Sequence, residues 1–229
     1  KVFGGEGQRG LGAELSWLAP TPWYLELNAS AMQADLACCS RSFYGGQSPG
    51  TDGPEDLLYT LGLKQFFDLD DDRAWGLQWG LWAQFGPNPT GYGNRTELYG
   101  TDIYLRWRPP GDADRMAVSL TVEGILRAAQ IPSGTLLDGG AYAQLVWEMA
   151  DWEAGARYDW TLGVADDWLD PGQTGNRHRV TVQGTWKPSH FSRVRLQAGW
   201  DAPAWREAPI WSVALGLEVL IGAHGTHAY

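Results

Sequence analysis

Arg193, Arg195 and Gln197 alternate with the apolar residues Val194, Leu196 and Ala198, and the same spacing recurs at Asp102, Tyr104 and Arg106 and at Glu153, Arg157 and Asp159. Side chains two apart on an extended strand point to one face, so this spacing sorts charge from hydrocarbon. Collected on one face, the charged set comprises Glu14, Glu26, Lys64, Asp102, Arg106, Glu123, Glu148, Glu153, Arg157, Asp159, Arg179, Arg193 and Arg195, with the basic residues concentrated late in the chain. If that face lines a wide lumen, opposed charges impose a transverse field that orders water and selects small hydrophilic solutes. In a narrow barrel the same groups pair and fill the interior, and the result is a structural anchor. A pore is the first expectation and the anchor its alternative.

Catalytic and metal chemistry have less to stand on. A barrel hydrolase needs a Ser-His or Asp-His constellation at its rim. His178, with Asp166, Asp167 and Asp170 in the preceding loop, is the one such grouping, and a solvated acidic loop beside a surface histidine is the plainer account of it. The chain is therefore expected not to be an enzyme, although the acidic cluster could attract divalent cations or bridge lipopolysaccharide through them. His224 and His227 form an HxxH, a weak metal candidate: the imidazoles could share a metal on a turn, but on a strand they face opposite sides. The plainer reading is a terminal strand and assembly signal ending on Tyr229. His190 has no acidic or cysteine partner nearby, so neither a four-ligand metal site nor a cofactor is expected. The adjacent Cys38 and Cys39 exclude a disulfide framework and any CxxC spacing. Phe43 and Tyr44 beside them, and Tyr92, Asn94 and Arg95, are candidates for loop contacts with a ligand or partner.

What must position these residues is a set of strands. Alternating segments bounded by turn residues number about eleven, at 10-19, 23-34, 57-67, 74-85, 98-108, 115-127, 139-149, 152-162, 176-186, 191-201 and 209-221. Their connections alternate between short turns and longer loops, the latter at 35-56, 86-97, 128-138, 163-175 and 202-208, as in outer-membrane barrels. Tryptophan clusters at the short turns. Trp17 and Trp23 flank Pro20-Thr21-Pro22, Trp75 follows Asp70-Asp71-Asp72, and Trp107 precedes Pro109-Pro110. Trp147 and Trp152 bracket Ala150-Asp151, and Trp186 precedes Lys187-Pro188. An amphipathic indole prefers the headgroup zone of a bilayer, so these rings are expected to form a membrane-interface girdle.

Composition agrees with that architecture. In 229 residues, Gly at 30 and Trp at 14 with 19% charged residues describe a single β-rich domain, 1-229, whose apolar residues are dispersed. No run approaches the roughly 18 to 20 apolar residues that a membrane helix needs, so any crossing is by strands. A net charge of -10 argues against nucleic acid. The chain opens at Lys1 with no initiator Met, which leaves an exported protein lacking its signal peptide or a missing start. The expectation is an all-β, transmembrane, antiparallel up-and-down β-barrel of the bacterial outer membrane. Because an odd count leaves an edge to be paired, 12 or more strands are expected when complete, at least one from upstream or from another source. Expected partners are outer-membrane lipid and lipopolysaccharide, small solutes or metal ions, and other envelope proteins.

The stretches GGEGQRGLGAELSWLAPTPWYLEL (4-27), FGPNPTGYGNRTELYGTDIYLRWRP (85-109), FSRVRLQ (191-197) and IGAHGTHAY (221-229) resemble the C-terminal part of Gram-negative outer-membrane proteins often labelled zinc-regulated TonB-dependent receptors. The resemblance covers most of the chain. It implies an envelope location, a link to metal uptake and further chain at the N-terminus, and it leaves energy coupling open.

Overall fold

Residues 10-33, 43, 53-70, 72-111, 115-189 and 191-220 are described by the computed structural model. Cys38, Cys39, Tyr44, His190, His224, His227 and Tyr229 lie outside the described residues. The strands are β1 (Leu11–Leu18), β2 (Tyr24–Gln33), β3 (Leu58–Asp68), β4 (Trp75–Pro87), β5 (Arg95–Trp107) and β6 (Met116–Ile131). They continue as β7 (Gly134–Met149), β8 (Trp152–Gly163), β9 (Gly175–Ser189), β10 (Ser192–Pro203) and β11 (Ile210–Val219). Each pairs antiparallel with its neighbour in sequence, giving one 11-stranded up-and-down sheet. Each alternating segment of the sequence holds one strand.

One connection corrects the sequence reading. The long loop expected at 128-138 is a tight turn, because β6 and β7 stay paired out to Ile131 opposite Gly134. Gly134 has φ +148, a conformation that side chains with a Cβ avoid, and this lets the chain reverse at once. Arg127, the last residue of the expected strand, lies directly opposite Asp138 of the expected loop, so a charge pair opens the extension of the ladder.

Register sorts the residues. A single cross-strand row runs Leu18, Glu26, Lys64, Gly80, Asp102, Glu123, Tyr142, Asp159, Arg179, Asp201, Ile210 from β1 to β11. On the opposite face a row runs Trp75, Trp107, Val118, Trp147, Ala154, Gly184, Leu196, Leu215. The polar row begins at the short-turn end of β1 and finishes at the long-loop end of β11. Such a stagger is what strands tilted around a barrel axis produce.

Burial is inverted relative to a soluble protein. The apolar face is open to the surroundings, with Leu15 at 80%, Leu126 at 65% and Leu215 at 76% exposure. The hydrophobic core among the described residues is one small cluster on the polar face, where Phe43, from the chain between β2 and β3, packs against Leu58 and Leu98 with Met32 and Trp82 alongside. Among the described residues the seam between β1 and β11 is unpaired, and both strands are exposed along their whole length. In an alternating antiparallel sheet β1 and β11 run the same way, so they cannot pair antiparallel with each other.

Candidate functional site

All the charged residues singled out from the alternation share the polar face, since each falls on the same pleat parity through the registers. Their pairing is uneven. On β8, Arg157 donates from Nε to Asp159 Oδ1 at 2.8 Å, and its guanidinium lies 3.5 Å over the Tyr142 ring. Toward the short turns, Lys187 sits 3.5 Å from Glu148 and 3.4 Å from Glu153, and Glu153 also accepts from Gln183 Nε2 at 3.1 Å. Toward the loops, Arg177 forms a two-pronged pair with Asp201. Arg193 reaches Glu218 on the edge strand at 3.4 Å, whereas Arg195 donates to the Thr185 hydroxyl at 3.3 Å.

The β1 to β5 side of the face has looser pairing. Glu26 accepts from the Tyr24 hydroxyl and stands opposite Lys64. Glu14 lies on the exposed edge strand β1, and Asp102 lies against Gly80, where any Cβ would strike its carboxylate. Arg106, opposite Gly76, has an enclosed Nε with no hydrogen bond.

The most buried charged group on this face is an ion cluster at the loop end. Arg127 donates to Asp138 from Nε at 2.8 Å and from Nη2 at 2.6 Å, and Nη2 stands 2.9 Å from Asp167 Oδ2. The Trp168 ring lies 5.6 Å from the guanidinium carbon. Asp167 belongs to the β8–β9 loop, so that loop folds back across β8 and β7 to reach β6. The β4–β5 loop is stitched to the same place: Asn88 Nδ2 donates to the Gln130 carbonyl at 3.0 Å, and the Arg95 backbone N–H donates to Gln130 Oε1 at 3.0 Å.

These contacts dissolve the rim constellation considered from sequence. His178 lies on the apolar face, stacked on Tyr158 with its Nδ1 2.7 Å from the Tyr158 hydroxyl. Asp167 is committed to Arg127, and Asp170 accepts from Gln173 at 3.3 Å. The loop candidates also part company: Tyr92 is fully exposed, Asn94 donates to Thr90 at 2.8 Å, Arg95 Nη1 donates to the Glu55 carbonyl at 3.1 Å, and Phe43 is buried.

The tryptophans singled out at the short turns occupy the apolar face at that end. Trp75 stacks obliquely with Trp107 at 6.1 Å, Trp152 on Trp186 at 6.2 Å, and Trp23 on Phe67 at 6.2 Å. Trp17 and Trp147 follow the same parity on β1 and β7. A second aromatic row at the loop end was not read from the sequence: Phe85 meets Tyr99 edge-on, Trp160 donates to Asn176, and Trp200 stands opposite Trp211. The signal was present as aromatics at the far ends of the same alternating segments.

Three further features were missed. Asp138 fell into an expected loop and so was not matched with Arg127, the last residue of an expected strand, Gln144 and Gln183 carry no charge to attract notice, and Trp82 has the wrong parity for the girdle. Trp82 instead lies on the polar face over Gly100, whose hydrogen alone leaves room for the indole.

No family model matches the chain, and no solved structure matches it. It is similar to an uncharacterized protein of Aquifex aeolicus (strain VF5), 26% identical over 270 residues, an alignment covering 100% of this chain and 53% of that protein. The chain thus spans about half the length of the curated relative it matches.

Proposed function

We propose that the chain forms the wall of a transmembrane β-barrel in a bacterial outer membrane and acts as a channel or receptor-like porin for small hydrophilic solutes. The observation that supports this most is the inverted sheet, with leucine, valine and tryptophan outside and carboxylates, guanidinium groups and amides on the opposite face. In water such an outer surface would be one continuous apolar patch far larger than monomeric proteins tolerate. In lipid it is the required surface.

The two aromatic rows give the band a height. From Trp75 to Phe85 on β4 is about 33 Å of strand, and a tilt of roughly 40° reduces that to about 25 Å, the height of the apolar belt of outer-membrane barrels. Polar groups on the outer face bond one another, as hydrocarbon demands: Trp79 Nε1 donates to Thr101, whose hydroxyl donates to the Gly80 carbonyl at 3.0 Å. Metal-linked uptake is supported by the family resemblance alone. Among the described residues no three His, Cys, Asp or Glu side chains group around a metal-sized site.

A second reading, a non-transporting barrel that anchors or assembles with other envelope proteins, is favoured by the edges of β1 and β11, which are unpaired among the described residues. Backbone groups there are costly in lipid until paired, and antiparallel closure takes an odd number of added strands. Single-channel recording of the full-length protein in planar bilayers decides between the readings, with Arg195→Glu alongside. Steady conductance whose ion selectivity moves toward cations in the variant supports the channel. Verified insertion with no conductance would refute it and leave the scaffold.

A further inference from the structure

We infer that the polar face carries a two-part binding track for a short neutral saccharide, with Trp82 and Tyr142 as its stacking platforms. The inference rests on that face being reachable from water, as a channel wall is, but it does not require current to flow.

The track consists of two recesses that share a wall. One, of about 280 Å³, is bounded by Trp82, Glu123, Tyr142, Arg157 and Asp159. The next, of about 290 Å³, adds Gln144, Arg179, Gln183 and Gln197 to the same Arg157 and Asp159. The pieces are held in place. Trp82 is seated over Gly100 and braced by the Phe43, Leu58 and Leu98 cluster. Arg157 is fixed by its stack on Tyr142 and its 2.7 Å ion pair with Asp159. Gln183 and Gln197 are cross-strand partners, and Gly155, opposite Gln183, makes room for that amide side chain, whose Cγ a Cβ there would approach to 3.2 Å.

The class of ligand follows from the balance of groups. A sugar ring has an apolar C–H face and a rim of hydroxyls, each both donor and acceptor. The first recess offers an indole and a phenol ring for the face. Around the rims stand acceptors at Glu123 and Asp159, donors at Arg157 and Arg179, and amides that do both. Two carboxylates against two guanidinium groups leave no excess of either sign, so an ion gains little here that it does not lose to the opposite charge. Ligand sites of this kind combine apolar platforms with a few convergent polar groups. Two adjoining recesses suit two linked rings better than one.

Equilibrium dialysis of radiolabelled maltose against the detergent-purified full-length protein reads binding without needing an open channel, and bilayer conductance is recorded in parallel. Saturable maltose binding that weakens about tenfold in Trp82→Ala and is largely kept in Trp82→Phe supports the track, the loss being on the order of one aromatic stacking contact. Gln183→Ala is expected to weaken it roughly two- to tenfold, the scale of one net hydrogen bond. Saturable binding from a silent bilayer supports the track while defeating the channel reading. Current unaffected by maltose together with no retention in dialysis overturns the track and spares the channel. Retention of the zwitterion glycylglycine in place of maltose, or maltose binding indifferent to Trp82→Ala and Gln183→Ala, also overturns it.

Discussion

Replacing Asp138 with alanine removes both prongs of the carboxylate that holds Arg127 and leaves a guanidinium group with 1% exposure facing Asp167 alone. Water does not screen this cluster, because the Asp138 and Asp167 side chains are only 4% and 0% exposed. Removing one partner of a buried pair costs about 3–5 kcal/mol, and the surviving Asp167 contact places Asp138→Ala near the lower figure, about 3 kcal/mol. At about 1.4 kcal/mol per decade, that is roughly a hundredfold rise in the unfolding constant. The assay is reversible urea unfolding of the protein in phospholipid vesicles, followed by tryptophan fluorescence. Replacing the cluster as a whole, with Arg127→Met, Asp138→Leu and Asp167→Leu, is expected to change stability by no more than about 1 kcal/mol in the unfavourable direction, since well-packed apolar groups can substitute for a buried ion cluster. If Asp138→Ala costs less than about 1 kcal/mol, the cluster behaves like an exposed pair such as Arg73 with Asp68, and the reasoning from burial fails.

Leu145→Lys puts an ammonium at the middle of the outer face and is expected to cost about 2–4 kcal/mol in the same vesicle assay, whereas Gln144→Lys, one residue away on the polar face, costs little. Equal small effects would place both faces in water. Gly100→Val drives a branched side chain into the Trp82 indole and is expected to destabilise by about 1–3 kcal/mol, with no loss meaning the indole does not lie there. Arg157→Glu joins a new carboxylate to Glu123 and Asp159, so reversal potentials in a salt gradient should shift toward cation selectivity. An unchanged reversal potential would remove Arg157 from the conduction path.

Much of the architecture was legible because a strand's pleat is a local property. Val194, Leu196 and Ala198 must face away from Arg193, Arg195 and Gln197 whatever their neighbours do, and eleven such segments in succession leave few alternatives to an up-and-down sheet. The aromatic row at the short turns was legible for the same reason, each tryptophan being tied to its own strand end.

Partner choice was not legible, because it depends on register, stagger and loop path, which involve several segments at once. Nothing near Arg127 in sequence announces Asp167, which arrives only because the β8–β9 loop folds back over two strands. His178 looked like a companion of that acidic loop, but its parity turns it to the apolar face, against Tyr158. Trp82 reads as one more aromatic residue until β5 supplies Gly100 opposite it. The amino-acid sequence by itself determined the strands, the two faces and the sign of each. Only the tertiary structure decided which charges cancel, which carboxylate each guanidinium takes and where the wall opens into recesses, because those outcomes depend on distances across strands that no single strand's periodicity contains.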